Sequence, residues 1–184
     1  MKFDEFVVGY DGPDEEFAAE WAKKKHEDTY AVRKSTFNPY WVHPDNVAKL
    51  AKAYGGTKEE IIAAIAHDTI EDTNTTYNEI KTLFGKKVAD LVKEVTNNND
   101  EILKVGKEKY MSDKLLHLSD SALFVKLCDM LHNGKDYPTA EQAERMYKNL
   151  LYIKDRREMP GKIKILYNDV LSYLELYIAS NKSL

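Results

Sequence analysis

Residues 61 to 66 (Ile-Ile-Ala-Ala-Ile-Ala) form the most hydrophobic run in the sequence, and the rest of the fold has to cover it. A helix that is apolar on every side is buried all round, so this run predicts a helix inside the core. Thr57 and Glu60 stand three residues apart just before the run, in a capping-box pattern that starts a helix. We therefore expect His67 and Asp68, which follow the run directly, to lie where the core meets the edge of a pocket.

Four ionisable side chains fall within the six residues that follow the run, namely His67, Asp68, Glu71 and Asp72. If the helix continues, His67 lies over Glu71 and Asp68 over Asp72, because side chains four residues apart share a face. The acidic groups would then repel one another, and a divalent metal ion is the obvious positive partner. The alternative is a solvated acidic cluster at a helix end, with His67 as a hydrogen-bonded core histidine.

Helical patterns continue on both sides of this segment, separated by breakers such as Gly55-Gly56 and Pro160-Gly161. The sequence contains no convincing strand and no internal repeat. It therefore predicts an all-α fold, a bundle of roughly seven to nine helices. We expect residues 1–184 to form a single domain, with a core at about 14–157 and a C-terminal helix at about 162–181.

The composition is that of an ordinary globular protein, with 43% hydrophobic and 32% charged residues. The net charge is −4 with the signs well mixed, which argues against nucleic-acid binding because that requires a basic face. No apolar stretch approaches the length that spans a bilayer, and the acidic N-terminus lacks a signal-peptide pattern, so we expect no membrane association. Cys128 is the only cysteine, which predicts a reducing, cytoplasmic location.

Two further segments carry residue types that bind metals. His43 stands at the start of a predicted helix, where a histidine is more often a hydrogen-bonding partner of the helix end. Asp129 lies among the apolar residues of a helical segment, and an unpaired buried carboxylate is costly, so it must be neutralised. Lys126 or Lys135 is the simple ionic partner of Asp129, and a metal ion is the alternative.

Taken together, these segments resemble a known family. His43, the pair His67-Asp68 and Asp129 are similar to the H…HD…D metal signature of the HD superfamily of metal-dependent phosphohydrolases. Over about residues 17 to 157 the chain resembles the hydrolase domain of RelA/SpoT proteins, and in particular the stand-alone small alarmone hydrolases, the group of the metazoan SpoT homologues. The segments that carry this wider match are RKS at 33–35, PY at 39–40, HP at 43–44, HDTIEDT at 67–73, LFG at 83–85, EVT at 94–96 and VKLCDMLHN at 125–133.

The resemblance implies an HD-domain helical bundle and a specific reaction. The family hydrolyses the 3′-pyrophosphate of ppGpp or pppGpp and releases pyrophosphate with GDP or GTP. By this resemblance one Mn²⁺ per chain, or another divalent metal, is bound by His43, His67, Asp68 and Asp129. Two imidazoles and two carboxylates without a thiolate suit such an ion. Glu71 and Asp72 are implied as the catalytic pair that positions and deprotonates the attacking water.

The resemblance also implies the residues that bind the nucleotide substrate, which are Arg33, Lys34, Ser35, Lys126 and Asn133. Arg33 is expected to stack on the base, a task for which a flat guanidinium is better suited than an ammonium. Asn133, one helical turn after the last metal aspartate, is expected to contact the ribose or the base.

One departure from the family pattern keeps two alternatives open. The family usually has Arg or Lys directly after the last metal aspartate, whereas this chain has Met130. The same site can therefore serve another nucleotide, such as a 2′- or 3′-phosphorylated or a signalling nucleotide. The second alternative is a catalytically silent module that binds nucleotides. The presence of Glu71 and Asp72 argues against the silent module, because binding alone does not require residues that activate water.

Overall fold

The computed structural model describes residues 14–33 and 36–181, which are predominantly helical. The helices are α1 (Glu15–Glu27), α2 (Val42–Ala53), α3 (Lys58–Ala66), α4 (Thr69–Asp72), α5 (Tyr77–Phe84), α6 (Lys86–Val95), α7 (Asn99–Val105), α8 (Lys107–His117), α9 (Asp120–Lys135), α10 (Ala140–Ile153) and α11 (Gly161–Asn181). Nine of them have eight or more residues, and only α4 and α7 are shorter. Within these residues the β structure is one isolated bridge between Val32 and Pro39. The predicted all-α fold of roughly seven to nine helices is confirmed.

Helix α3 lies at the centre of the fold. All of its residues from Glu60 to Ala66 are buried, and it packs against α1, α2, α6 and α9. It begins where the sequence predicts, because the Thr57 hydroxyl accepts a hydrogen bond from the Glu60 backbone N–H and the Glu60 carboxylate accepts one from the Thr57 N–H. This capping box and the apolar run together fix the depth at which His67 emerges at the C-terminal end of α3.

Helix α9 is the second buried helix, and every residue from 122 to 131 is buried. It packs against α2, α3, α6 and α11, so it crosses the core beside α3. Asp129 is therefore enclosed among apolar neighbours and only 5% exposed. The N-terminal end of α2 carries His43, which is also buried. The consecutive helices α2 and α3 and the distant helix α9 thus direct polar side chains towards one interior region.

The expected continuation of α3 through residue 72 does not form. Helix α3 ends at Ala66, His67 and Asp68 form a turn, and the single-turn helix α4 follows. The side chains account for this break: Thr69 Oγ1 donates to the Ala66 carbonyl at 2.8 Å, and His67 Nδ1 lies 2.8 Å from the Ala64 carbonyl. These contacts use carbonyls that a longer helix would pair with later N–H groups. As a result the Asp68 carboxylate lies close to the His67 ring.

The C-terminal helix α11 packs on α9 and α10 and is joined to α3 by an ion pair. Lys162 Nζ donates to the buried Glu60 carboxylate and, at 3.1 Å, to the Gly55 carbonyl. Ser121 Oγ donates to the other oxygen of Glu60 at 2.8 Å.

Among the helices of residues 14–33 and 36–181, none combines the length and the hydrophobicity needed to traverse a lipid bilayer.

Candidate metal centre and its cleft

The structure brings the four predicted metal ligands together. Ligand atoms of His43, His67 and Asp129 lie within 4.8 Å of one another. Asp68 Oδ2 lies 3.1 Å from His67 Nε2 and 3.5 Å from His43 Nε2. Asp129 Oδ1 lies 3.2 Å from His43 Nε2 and 3.8 Å from His67 Nε2. Atoms that share one ion at about 2.1 Å lie roughly 3 to 4 Å apart, so this spacing is that of a metal-binding set.

His67 provides the test of whether these residues fit a metal ion. Its Nδ1 faces the Ala64 carbonyl at 2.8 Å and must be the donor, because a carbonyl only accepts. In the neutral ring the lone pair is then on Nε2, which is buried and has no hydrogen-bond partner among the described residues. A buried nitrogen without a partner calls for an explanation, and coordination of a cation supplies one.

The electrostatics of the set also favour a cation. Burial lowers the pKa of His67, but the negative charges of Asp68 and Asp129 outweigh burial and raise it to about 9. Burial raises the pKa of Asp129, yet Lys126 and the two histidines hold it well below its usual range. Burial also raises the pKa of the half-buried Asp68, but the charge of His67 holds it below its usual range. Both carboxylates therefore remain ionised and attract a positive charge.

Two residues that the sequence analysis did not single out orient these ligands. The Tyr40 hydroxyl donates to Asp68 Oδ2 at 2.7 Å, and His132 Nδ1 lies 2.8 Å from His43 Nδ1. His132 stands three residues after Asp129 on α9, a spacing that places both on one face and was the available signal. No comparable signal marks Tyr40, because its partner Asp68 lies 28 positions away.

The ligand set lies beside a cleft of about 620 Å³. This volume is within the range of roughly 300 to 1,000 Å³ that is typical of small-molecule sites. His43, Asp68 and Asp129 line it, and α8 and α10 contribute other parts of the lining, including Met111 and Met146. A small molecule bound in the cleft would therefore contact the metal ligands directly.

The two residues of the predicted catalytic pair differ in their surroundings. Glu71 lines the cleft, and its Oε2 accepts hydrogen bonds from the Asn97 backbone N–H at 3.2 Å and from Asn97 Nδ2 at 3.0 Å. Burial and the negative charge of Asp68 raise the pKa of Asp72, while a hydrogen bond with Tyr40 lowers it. Glu71 thus faces the cleft, whereas Asp72 is associated with the Tyr40 and Asp68 pair.

Three of the predicted substrate-binding residues, Arg33, Lys126 and Asn133, line the cleft. Arg33 donates to Asp136 Oδ2 from Nε at 2.9 Å and from Nη2 at 2.7 Å. Its Nη2 also donates to Asn133 Oδ1 at 2.8 Å, and Asn133 Nδ2 donates to Asp129 at 2.6 Å. Lys126 Nζ donates to the other oxygen of Asp129 at 2.7 Å. These three side chains thus join the cleft to the metal set.

The other two predicted substrate-binding residues, Lys34 and Ser35, lie outside the described residues. The guanidinium of Arg33, which directly precedes them, is 5.7 Å from the centre of the Tyr40 ring. Arg33 itself lies in the cleft wall.

The fold and the site define the class of this protein. A family model described as an HD domain matches residues 18–153, and the chain belongs to the HD domain family. The predicted membership of the HD superfamily is confirmed. The chain is also homologous to SpoT-type and MESH1 proteins.

Three curated relatives illustrate this homology. The guanosine-3′,5′-bis(diphosphate) 3′-pyrophosphohydrolase of Aquifex aeolicus is 42% identical over 127 residues, which cover 64% of this chain and 17% of that protein. The guanosine-3′,5′-bis(diphosphate) 3′-pyrophosphohydrolases MESH1 of Xenopus tropicalis and Homo sapiens are 36% and 35% identical over 121 residues, which cover 65% of this chain and 66% of each relative. The chain therefore spans less than two thirds of the length of these relatives.

Two solved structures share the fold. One is a metazoan orthologue of SpoT, described as hydrolysing ppGpp and acting in starvation responses. Its TM-score is 0.69 at 20% identity, over 86% of this chain and 93% of that one. The other is a protein of Listeria monocytogenes EGD-e, with a TM-score of 0.59 at 22% identity, over 74% of this chain and 99% of that one.

Proposed function

We propose that this protein hydrolyses the 3′-pyrophosphate of guanosine alarmones, converting ppGpp or pppGpp into GDP or GTP and pyrophosphate. The observation that carries the proposal is the set of two histidines and two aspartates that faces a cleft of about 620 Å³. The names of the curated relatives, guanosine-3′,5′-bis(diphosphate) 3′-pyrophosphohydrolases, support this choice of substrate.

The proposed cofactor is one Mn²⁺ ion per chain, held by His43, His67, Asp68 and Asp129. Imidazole and carboxylate ligands suit Mn²⁺ and related divalent ions, and this set offers no thiolate. When bound, such an ion lowers the pKa of water and neutralises charge on phosphate oxygens.

In this proposal Glu71 takes the proton from the attacking water, because it lines the cleft beside the ligand set. Asp136 is the other acidic residue of the lining outside that set, and it is bound by Arg33. The water oxygen forms a bond to the phosphorus attached to the ribose O3′. The bond between that phosphorus and O3′ breaks, pyrophosphate leaves, and O3′ takes up a proton. Asp72 has a supporting role, since it interacts with Tyr40 and with the charge of Asp68 and does not line the cleft.

Arg33, Lys126 and Asn133 are proposed to bind the nucleotide. Arg33 is held by Asp136 beside the Tyr40 ring, which leaves a planar guanidinium suited to stacking on a base. Burial lowers the pKa of Lys126, but Asp129 raises it above its ordinary value, so Lys126 keeps a positive charge for phosphate oxygens. We extend the proposal to Lys34 and Ser35, which directly follow Arg33 in the sequence.

We also propose that residues 1–184 act as one domain in the cytoplasm. Support for one domain comes from the hydrophobic core of the described residues, which runs as a single cluster from Ala18 to Leu174. Support for the compartment comes from Cys128, a buried free thiol that fits a reducing environment.

The test is to incubate the purified protein with ppGpp and Mn²⁺ and to separate the products by anion-exchange chromatography, with an EDTA-treated control. We expect metal-dependent release of GDP and pyrophosphate in equal amounts. Turnover of another nucleotide phosphate, with none of ppGpp, would overturn the proposed substrate. Nucleotide binding without any turnover would identify a silent binding module.

A further inference from the structure

The position of Glu71 depends on a residue from a distant part of the chain. Glu71 belongs to α4, a helix of only one turn, which cannot by itself fix a long side chain. The turn between α6 and α7 supplies Asn97, whose backbone N–H and Nδ2 both donate to Glu71 Oε2, at 3.2 and 3.0 Å. Nδ2 also lies 3.4 Å from Oε1. One asparagine therefore holds both oxygens of the carboxylate.

The turn that carries Asn97 is itself anchored on both sides. Lys114 Nζ donates to the Thr96 carbonyl at 2.6 Å, and the Asn98 backbone N–H donates to the Tyr110 hydroxyl at 2.8 Å. Both anchors belong to α8. Thr96 and Asn98, which flank Asn97, are thus both hydrogen-bonded to α8. The backbone N–H and Nδ2 of Asn97 therefore have a defined direction.

The remaining polar atom of the Asn97 side chain shows that this residue serves more than folding. Asn97 Oδ1 is buried and has no hydrogen-bond partner among the described residues. Such an acceptor is a cost to the folded state unless a donor arrives with a ligand. Asn97 also lines the cleft, where a water or a substrate hydroxyl is such a donor.

We infer that Asn97 is a positioning residue for the hydrolysis, which holds the Glu71 carboxylate in place against the cleft. This inference rests on the proposed function of Glu71. Two donors from one residue fix both the place and the direction of the Glu71 carboxylate. Other charges act on Glu71 as well: Lys114 of α8 and Lys126 of α9 attract it, and Asp72 of its own helix repels it. Among these groups Asn97 contributes the directional contacts.

The first test is the variant Asn97→Ala, with Asn99→Ala as the matched control because Asn99 is exposed in the neighbouring helical turn. We expect kcat for pyrophosphate release to fall about tenfold or more, with KM changed less than about threefold, since the loss concerns proton transfer more than binding. The control should keep both constants. A kcat of Asn97→Ala within twofold of the wild type would overturn the inference.

The second test distinguishes positioning from a general loss of structure. Asn97→Asp places a second carboxylate against Glu71, and like charges disfavour ionisation of the pair. We expect the acid limb of the kcat/KM profile to move about one pH unit upwards, while Mn²⁺ stoichiometry and the melting temperature stay close to those of the wild type. An unmoved acid limb in a folded, metal-loaded variant would contradict the inference.

A third measurement separates this inference from the proposed substrate. Crystal structures of the wild type and of Asn97→Ala without nucleotide should show Glu71 in one position in the former and displaced in the latter. If the wild type does not hydrolyse ppGpp, the proposed function fails, yet this comparison still tests the role of Asn97. An undisplaced Glu71 in Asn97→Ala would overturn the positioning role whatever the substrate is.

Discussion

His132 shows how a single side chain outside the ligand set prepares a ligand. Burial lowers the pKa of His132 to about 4, and the neighbouring His43 adds to this effect, so its ring is neutral at physiological pH. The Nδ1 atoms of the two rings lie 2.8 Å apart. When His43 donates from Nδ1 to a neutral His132, the lone pair of His43 Nε2 is directed towards Asp68 and Asp129.

We expect His132→Ala to reduce the affinity for Mn²⁺ about 10- to 100-fold, because residues that orient a ligand carry effects of this size. Isothermal titration calorimetry on the metal-free protein measures this affinity. His117→Ala is the control, since His117 is exposed and its Nδ1 contacts only the carbonyl of Asp113 among the contacts described. Equal affinities of His132→Ala and the wild type would exclude the orienting role.

Glu71 is a second case in which a single side chain can be tested. We expect Glu71→Gln to lower the rate of pyrophosphate release roughly a hundredfold or more, because the amide cannot accept the proton of water. Mn²⁺ and nucleotide binding should be nearly intact, since Glu71 lies outside the ligand set. Single-turnover assays combined with equilibrium binding separate the two effects. An unchanged rate would remove Glu71 from the mechanism.

At the scale of helices, the start of α3 was predictable and its end was not. The capping box of Thr57 and Glu60 is a local pattern, and the apolar run identifies a buried helix by itself. The end of α3 depends on the His67 and Thr69 side chains, which bond to carbonyls of the last turn. A hydrophobicity pattern does not indicate where side chains compete with backbone N–H groups for the carbonyls of a helix.

The site was predictable to a similar extent. The local context of His43 and Asp129 left a structural role open for each, and the resemblance to the H…HD…D signature is what implied that they bind a metal ion. The contacts that complete the site join Arg33 to Asp136, 103 positions apart, and Asn97 to Glu71, 26 positions apart. Such pairings are set by helix packing, which a single sequence does not specify.

We expect Thr57→Ala to lower the free energy of unfolding by about 1 kcal/mol, because it removes the N-cap of the central helix. Urea denaturation followed by circular dichroism measures this loss. Thr82→Ala serves as the control, since Thr82 is exposed on α5 and its hydroxyl donates to the Asn78 carbonyl within the same helix. A loss for Thr57→Ala no larger than that of the control would contradict the capping role.

At the scale of the whole molecule, the pair of Glu60 and Lys162 joins the first half of the chain to its last helix. Burial raises the pKa of Glu60, but Lys162, the Thr57 N–H and Ser121 together hold it below its ordinary value of 4.5. A depressed pKa in the folded state contributes stability that is complete above about pH 4.5 and is lost as the pH falls through the folded-state value.

We expect Lys162→Ala to reduce the free energy of unfolding at pH 7 by about 2 kcal/mol, less than the roughly 3 to 5 kcal/mol of a fully buried pair because Lys162 is partly exposed. The difference between variant and wild type should shrink as the pH falls below 4.5. Urea denaturation at a series of pH values measures it. Lys49→Ala, which breaks an exposed pair with Asp45, should show little change at any pH. A constant deficit for Lys162→Ala down to low pH would contradict this assignment.

The convergence of α2, the turn after α3, and α9 on one point has a thermodynamic consequence for the whole chain. The four proposed ligand side chains meet only in the folded state, so a bound ion would act as a reversible cross-link between the α2–α3 region and the distant helix α9. A ligand bound only to the folded state stabilises it by about 2.7 kcal/mol at a concentration one hundred times its Kd. The concentration of free divalent metal in the cell would then govern the resistance of each molecule to unfolding and proteolysis. It would also govern the catalytic rate.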